Sequence, residues 1–167
     1  MSIWVSRYAN KKLREEGWYP VGISIGTPKY PLGYEVREQC YSLAPKGYML
    51  NMEYEPYRKA YFEKLNAIGK DSIIRTVKRL DERAKADGKE LVLLCFEDIR
   101  NEGEWCHRTL FAEWWMEHTG EIIEELDDPT PAKKPKRKPE IKNEEKEPEK
   151  PSEPEPVQLD LFSLGLI

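Results

Sequence analysis

The sequence predicts an α/β layered domain, with a central and mostly parallel sheet flanked by helices, over residues 1–126, followed by a disordered C-terminal tail. Three observations predict it. Leu91-Val92-Leu93-Leu94-Cys95-Phe96 is continuously apolar, the pattern of a central strand covered on both faces. Two amphipathic helical stretches precede this run and one follows it, the order that builds crossovers between parallel strands. Nearly all aromatic residues lie before Asp127, so the material for a core is concentrated there.

The elements follow in order. Ile3 to Tyr8 reads as a short strand, and Val21 to Ile25, apolar at alternate positions and ended by Gly26-Thr27-Pro28, as a second. A loop rich in Tyr, Pro and Gly runs from Lys29 to about Ala44, too long for a simple turn. Tyr48 to Met52 reads as a third strand. Tyr54 to Ile68 places Tyr57, Tyr61, Phe62, Leu65 and Ile68 at helical spacing; Asp71 to Ala86 does the same with Ile73, Ile74, Val77, Leu80 and Ala84, with Asp71 or Ser72 as its N-cap. After the central strand, a loop over Asp98–Gly103 leads to a helix from about Glu104 to His118. Phe111, Trp114 and Trp115 give that helix a bulky face suited to a core or an interface. Glu121 to Leu126 closes the domain as a strand or a helical turn. No internal repeat is visible.

The net charge of −4 excludes a general polyanion binder. Three cysteines, Cys40, Cys95 and Cys106, an odd number with no signal peptide before them, point to reduced thiols and a cytoplasmic location. No run approaches the roughly 20 apolar residues of a membrane span, so no membrane partner is expected.

Ligands of open α/β sheets bind beyond the carboxyl ends of central strands. Cys95 and Glu97 stand at such an end, and Cys106, His107 and Arg108 fall in the first turn of the next helix. The helix N-terminus would lower the pKa of Cys106, making it a nucleophile with His107 as base. Glu97 suits acid–base work and Arg108 suits a phosphate or carboxylate. Cys95, in an apolar strand, reads first as a core residue. Cys95, Cys106 and His107 are zinc-type ligands with Glu97 as a fourth, but neighbours on a helix point about 100° apart, so no metal is expected. Lys29 and Tyr30 are candidates for the same rim. Gly22, Gly26 and Gly33 lack phosphate-loop spacing, and the sequence leaves any cofactor unknown.

Leu93-Leu94-Cys95-Phe96-Glu97, followed by Cys106-His107-Arg108, Leu110, Ala112 and Glu113, resembles the DUF488 family of bacterial, archaeal and phage proteins over roughly Ile3 to Leu126. The resemblance implies that Cys95, Glu97, Cys106, His107 and Arg108 belong to one site; it names no substrate. The chain departs from the family pattern in a longer loop, Asp98 to Trp105, and in Ser24 to Tyr30, which lacks the family's Asp-x-Arg.

Residues 127–157 form a linker of Pro, Lys and Glu with no aromatic residue and with Ile141 as its one sizeable aliphatic before Val157. Such a segment cannot bury enough apolar area to offset chain entropy and is expected to be disordered. Lys133, Lys134, Lys136, Arg137 and Lys138 make a basic block that suits DNA. Residues 158–167 end the chain in an apolar patch whose start, Gln158-Leu159-Asp160-Leu161-Phe162, is similar to the pentapeptide that docks bacterial proteins on the β sliding clamp. That resemblance implies a clamp-tethered accessory protein of DNA replication or repair, acting on DNA, a nucleotide or a replisome protein. An enzyme of nucleotide or small-molecule metabolism, and a phage modulator that merely occupies the clamp, are the alternatives.

Overall fold

Leu91 to Cys95 is buried at every position, and a run with no polar face needs cover on both sides of a sheet. In the computed structural model, which describes residues 1–133, it becomes β4 (Glu90–Cys95), the middle strand of five. The others are β1 (Ile3–Arg7), β2 (Trp18–Gly22), β3 (Glu38–Gln39) and β5 (Glu124–Glu125). Their order is β3-β2-β4-β1-β5 and every pair is parallel, with Val5 and Val21 both opposite Leu93. The helices are α1 (Tyr54–Ile68), α2 (Lys70–Ala86) and α3 (His107–Thr119).

The connections sort by direction. From β3 to β4, through α1 and α2, and from β4 to β5, through α3, the chain advances one way across the sheet; from β1 to β2 and from β2 to β3 it goes the other way. Right-handed crossovers therefore place the helices on one face and the two loop connections on the other. The packing agrees. Ile3, Val5, Tyr19, Val21, Leu91 and Leu93 bury against Tyr61, Leu65, Val77, Phe111 and Trp114 of the helices. Val92 and Leu94, pointing the opposite way, pack with Leu13, Leu32, Tyr34 and Val36 of the loops. Helices thus flank the sheet on one side only. The β1–β2 connection, through Leu13, and the long loop after β2 cover the other side.

Several expected boundaries shift. The second strand is Trp18–Gly22 rather than Val21–Ile25; Ile23 still donates its N–H to Leu94 O (2.9 Å), but Ile25 is exposed. Tyr48 to Met52 is no strand: Gly47–Met49 is a 3-10 turn, only Met49 is buried within it, and Tyr48 and Leu50 face solvent. A short apolar run does not by itself distinguish a strand from a turn with one anchored side chain. The α2 cap is Gly69, at φ +102°, not Asp71 or Ser72; Gly69 O accepts from Ile73 N while Gly69 N donates to Leu65 O, which joins α1 to α2 through one residue. The last helix begins at His107 rather than about Glu104, with Cys106 as its N-cap, and runs to Thr119. Glu121 to Leu126 supplies the short strand β5.

Contacts continue past Leu126. Asn10 donates to Asp127 O at 3.0 Å and Arg7 pairs with Asp128 at 2.6 Å, so the first residues of the expected linker are bound to the domain. Residues 134–157, with most of the basic block, and the motif residues 158–162 lie outside the described residues. No helix among the described residues is long and apolar enough to cross a membrane.

Candidate active site

The outgoing connections of β2 and β4 leave toward opposite faces, which opens a crevice beyond their carboxyl ends. A cleft of about 370 Å³ lies there, walled by Ser24 to Gly26 after β2, Phe96 and Glu97 after β4, Pro45 and Leu50, Tyr57 of α1, and Glu104 to His107 at the start of α3. Cys95, the last residue of β4, and Glu97, two residues on and so on the same side, meet in it: Cys95 Sγ stands 3.1 Å from Glu97 Oε2.

Cys106 enters the site because it is extended, at φ −145° and ψ 149°, while His107 is the first helical residue. The 100° divergence that separates neighbours on a helix therefore does not apply, and the two side chains converge. His107 Nε2 lies 2.6 Å from Ile23 O. A carbonyl only accepts, so Nε2 carries a proton and Nδ1 is turned to the sulfurs, 3.4 Å from Cys95 Sγ and 3.8 Å from Cys106 Sγ. Tyr61 packs edge-on against the imidazole and donates its hydroxyl to Leu43 O, which fixes the ring from behind. The three donor atoms of Cys95, Cys106 and His107 lie within 4.8 Å of one another, a set able to hold a metal ion. The sequence-based objection to a shared ion fails with the helical geometry it assumed.

The sulfurs are electrostatically unequal. Burial pushes the Cys95 thiol well above its ordinary range, and the neighbouring Cys106 sulfur and Glu97 push the same way. Burial opposes ionisation of Cys106 too, but hydrogen bonding with Cys95 and His107 and the charges of His107 and Arg108 outweigh it and hold that thiol well below its usual value. The pair thus titrates as a unit with its first thiolate on Cys106. Burial, reinforced by Cys106, raises the Glu97 carboxyl.

Arg108 departs from expectation. It is 1% exposed and turned away from the cleft, forked onto Glu125 (Nε to both oxygens at 3.1 Å, Nη2 to Oε1 at 2.8 Å), with Nη1 donating to Glu97 O at 2.7 Å. It is committed within the chain to holding the backbone of Glu97 against β5, so it is not free to grip a ligand. Behind it, Arg7 and Arg100 pair with Asp98 and Asp128 and pin the loop that follows β4. Lys29 and Tyr30 do not line the cleft.

Sequence reasoning missed the walls. Trp105 stacks edge-on against Tyr57 (4.6 Å between centroids) and Tyr54 (5.4 Å), forming one side. Ser24 forms another, its hydroxyl shared with Tyr8 (2.7 Å) and Gly26 O (2.6 Å). Trp105, directly before Cys106, carried a usable signal; Ser24 did not, since nothing local marks a serine after a strand.

No family model, curated protein or solved structure matches the chain. The resemblance to DUF488 therefore rests on the sequence motif alone.

Proposed function

We propose that the protein is an enzyme acting on a nucleotide or a single unpaired base, and that its C-terminal motif brings it to the bacterial β sliding clamp. The observation that carries the enzyme reading is the convergence of Cys95, Glu97, Cys106 and His107 on the floor of one cleft at the carboxyl end of the central strand. Glu97 is placed to pass a proton to or from a bound group, and the Cys95–Cys106–His107 cluster beside it is the reactive partner. The walls suit a planar ring: Ile25, Leu50 and Phe96 are exposed apolar side chains at the mouth, and Trp105 and Tyr57 offer aromatic surface. The volume falls within the range of roughly 300–1,000 Å³ typical of small-ligand sites.

The clamp reading rests on Gln158, Leu159, Asp160, Leu161 and Phe162, where Leu161 and Phe162 would fill an apolar pocket and Gln158 would hydrogen-bond at its rim. Weak peptide docking suffices, because tethering raises the local concentration of the domain near DNA. The setting is the cytoplasm of a bacterium or of a phage-infected cell.

A panel of nucleosides, nucleotides and short single strands, followed by equilibrium binding and by product analysis, tests the enzyme reading. At least one compound should bind and be converted, and Glu97→Gln should retain binding while losing turnover; a panel with neither binding nor conversion refutes it. For the tether, peptide Val157–Ile167 should bind a purified bacterial clamp and Leu161→Ala with Phe162→Ala should abolish binding. Absence of binding at high micromolar peptide removes the clamp from the reading.

A further inference from the structure

We propose that Cys95, Cys106 and His107 bind one zinc ion, with its fourth coordination position open to the cleft beside Glu97. The geometry points there first. For Zn–S of about 2.3 Å and Zn–N of about 2.0–2.1 Å at tetrahedral angles, a sulfur and a nitrogen ligand stand about 3.6 Å apart. The two sulfur-to-Nδ1 separations, 3.4 and 3.8 Å, bracket that edge, and the third pair also falls within 4.8 Å. The imidazole is oriented for the purpose: its Nε2–H is tied to the Ile23 carbonyl at 2.6 Å, so Nδ1 is presented to the sulfurs, the usual outer support of a zinc-bound histidine. The ligands are soft and buried, and they arise from rigid positions, the end of a strand and the start of a helix.

Glu97 is outside the ligand set but its Oε2 is 3.1 Å from Cys95 Sγ. Three protein ligands with an open position and a neighbouring carboxylate describe a hydrolytic centre. Glu97 takes one proton from the bound water, whose O–H bond breaks and leaves hydroxide on the ion. The hydroxide oxygen then bonds to an electrophilic carbon of the ligand in the cleft, and Glu97 returns the proton to the amine or alkoxide that departs, so one water is consumed for each bond cleaved. This step deepens the enzyme reading and rests on it; ion uptake does not and can be measured alone.

The test uses the full chain, reduced and stripped of metal, then titrated with Zn²⁺ and with Co²⁺. About one equivalent of Zn²⁺ per chain should remain after gel filtration, with release of thiol protons. Co²⁺ should give the visible bands of a tetrahedral site and a thiolate charge-transfer band. Cys95→Ser, Cys106→Ser and His107→Gln should each lose the bands, and Cys40→Ser, outside the cluster, should keep them. Glu97→Gln should keep the ion and lose turnover. Folding of the variants is monitored by circular dichroism, but the decisive measurement is on the unaltered chain. If folded, reduced wild type takes up no Zn²⁺ and shows no Co²⁺ bands, the inference is overturned. A Cys95–Cys106 disulfide that forms in air, with the reduced protein indifferent to Zn²⁺, overturns it in favour of a redox pair. Ion uptake with no conversion of any nucleotide keeps the zinc site and removes the enzyme reading; conversion by metal-free protein keeps the enzyme reading and overturns the zinc-bound hydroxide as its nucleophile.

Discussion

Arg108 and His107 are neighbours with opposite assignments. The imidazole faces the cleft, while the guanidinium turns inward to Glu125 and the Glu97 carbonyl. Arg108→Ala would leave Glu125 without its cation and free the Glu97 carbonyl. A loss of about 2 kcal/mol is expected from urea unfolding, smaller than for a fully buried pair because Glu125 keeps some contact with water. Asp98 gives a pH-dependent prediction. The hydrogen bond from Arg100, with Arg7 nearby, outweighs burial and lowers its pKa from 3.8 to about 2. A carboxyl with a depressed folded-state pKa stabilises the fold fully above its unfolded value, and that contribution is lost as pH falls through the folded one. The fall of Tm between about pH 4 and pH 2 should therefore be shallower in Asp98→Asn than in wild type. Of these residues, the meeting of Cys95, Glu97, Cys106 and His107 in one cleft was legible in their spacing around a strand end and a helix start. The inward turn of Arg108 was not, because its partner Glu125 comes from β5, which pairs with β1 and carries no local mark of its neighbour.

At the scale of elements, periodicity identified the helices because their buried stripes are long: Ile73, Val77, Leu80 and Ala84 in α2, and Leu110, Phe111, Trp114 and Trp115 in α3. The aromatic face of α3 is core, with Trp114 fully buried and its Nε1 donating to Asn66 at 2.9 Å. Trp114→Ala should cost about 3–5 kcal/mol in chemical denaturation. Short elements were harder. β3 and β5 have two residues each, too few to show an alternation, and the Gly47–Met49 turn imitates a strand because Leu50 and Met52 continue its apolar run. Gly69 is the hinge of the α1–α2 pair at φ +102°, with open space around its missing side chain. Gly69→Ala meets no clash, so its expected loss of about 1 kcal/mol measures backbone strain alone.

For the whole molecule, the handedness of its connections decides where the site lies. Two loop crossovers on one face and the helical crossovers on the other leave the carboxyl ends of β2 and β4 facing an open crevice. In the proposed function the tail supplies location and the domain the chemistry. Removing residues 134–167 should leave the Tm of the domain and its Zn²⁺ uptake unchanged while abolishing association with the clamp; thermal melting, metal analysis and clamp pull-down read the three outcomes separately.

The loop from Asp98 to Trp105 connects the two ends of the Cys–His cluster without supplying a donor atom to it. Asp98 and Arg100 tie its first half to Arg7, Asp128 and the Thr130 carbonyl, while its last residues, Glu104 and Trp105, are the ones that reach the cleft. The donor atoms and the aromatic wall of the cleft are therefore set by neighbouring but separate residues. Under the proposed reading, Trp105→Ala should change which compounds bind while Zn²⁺ uptake is unchanged, so the cleft end of this segment is the natural starting point for altering what the protein accepts.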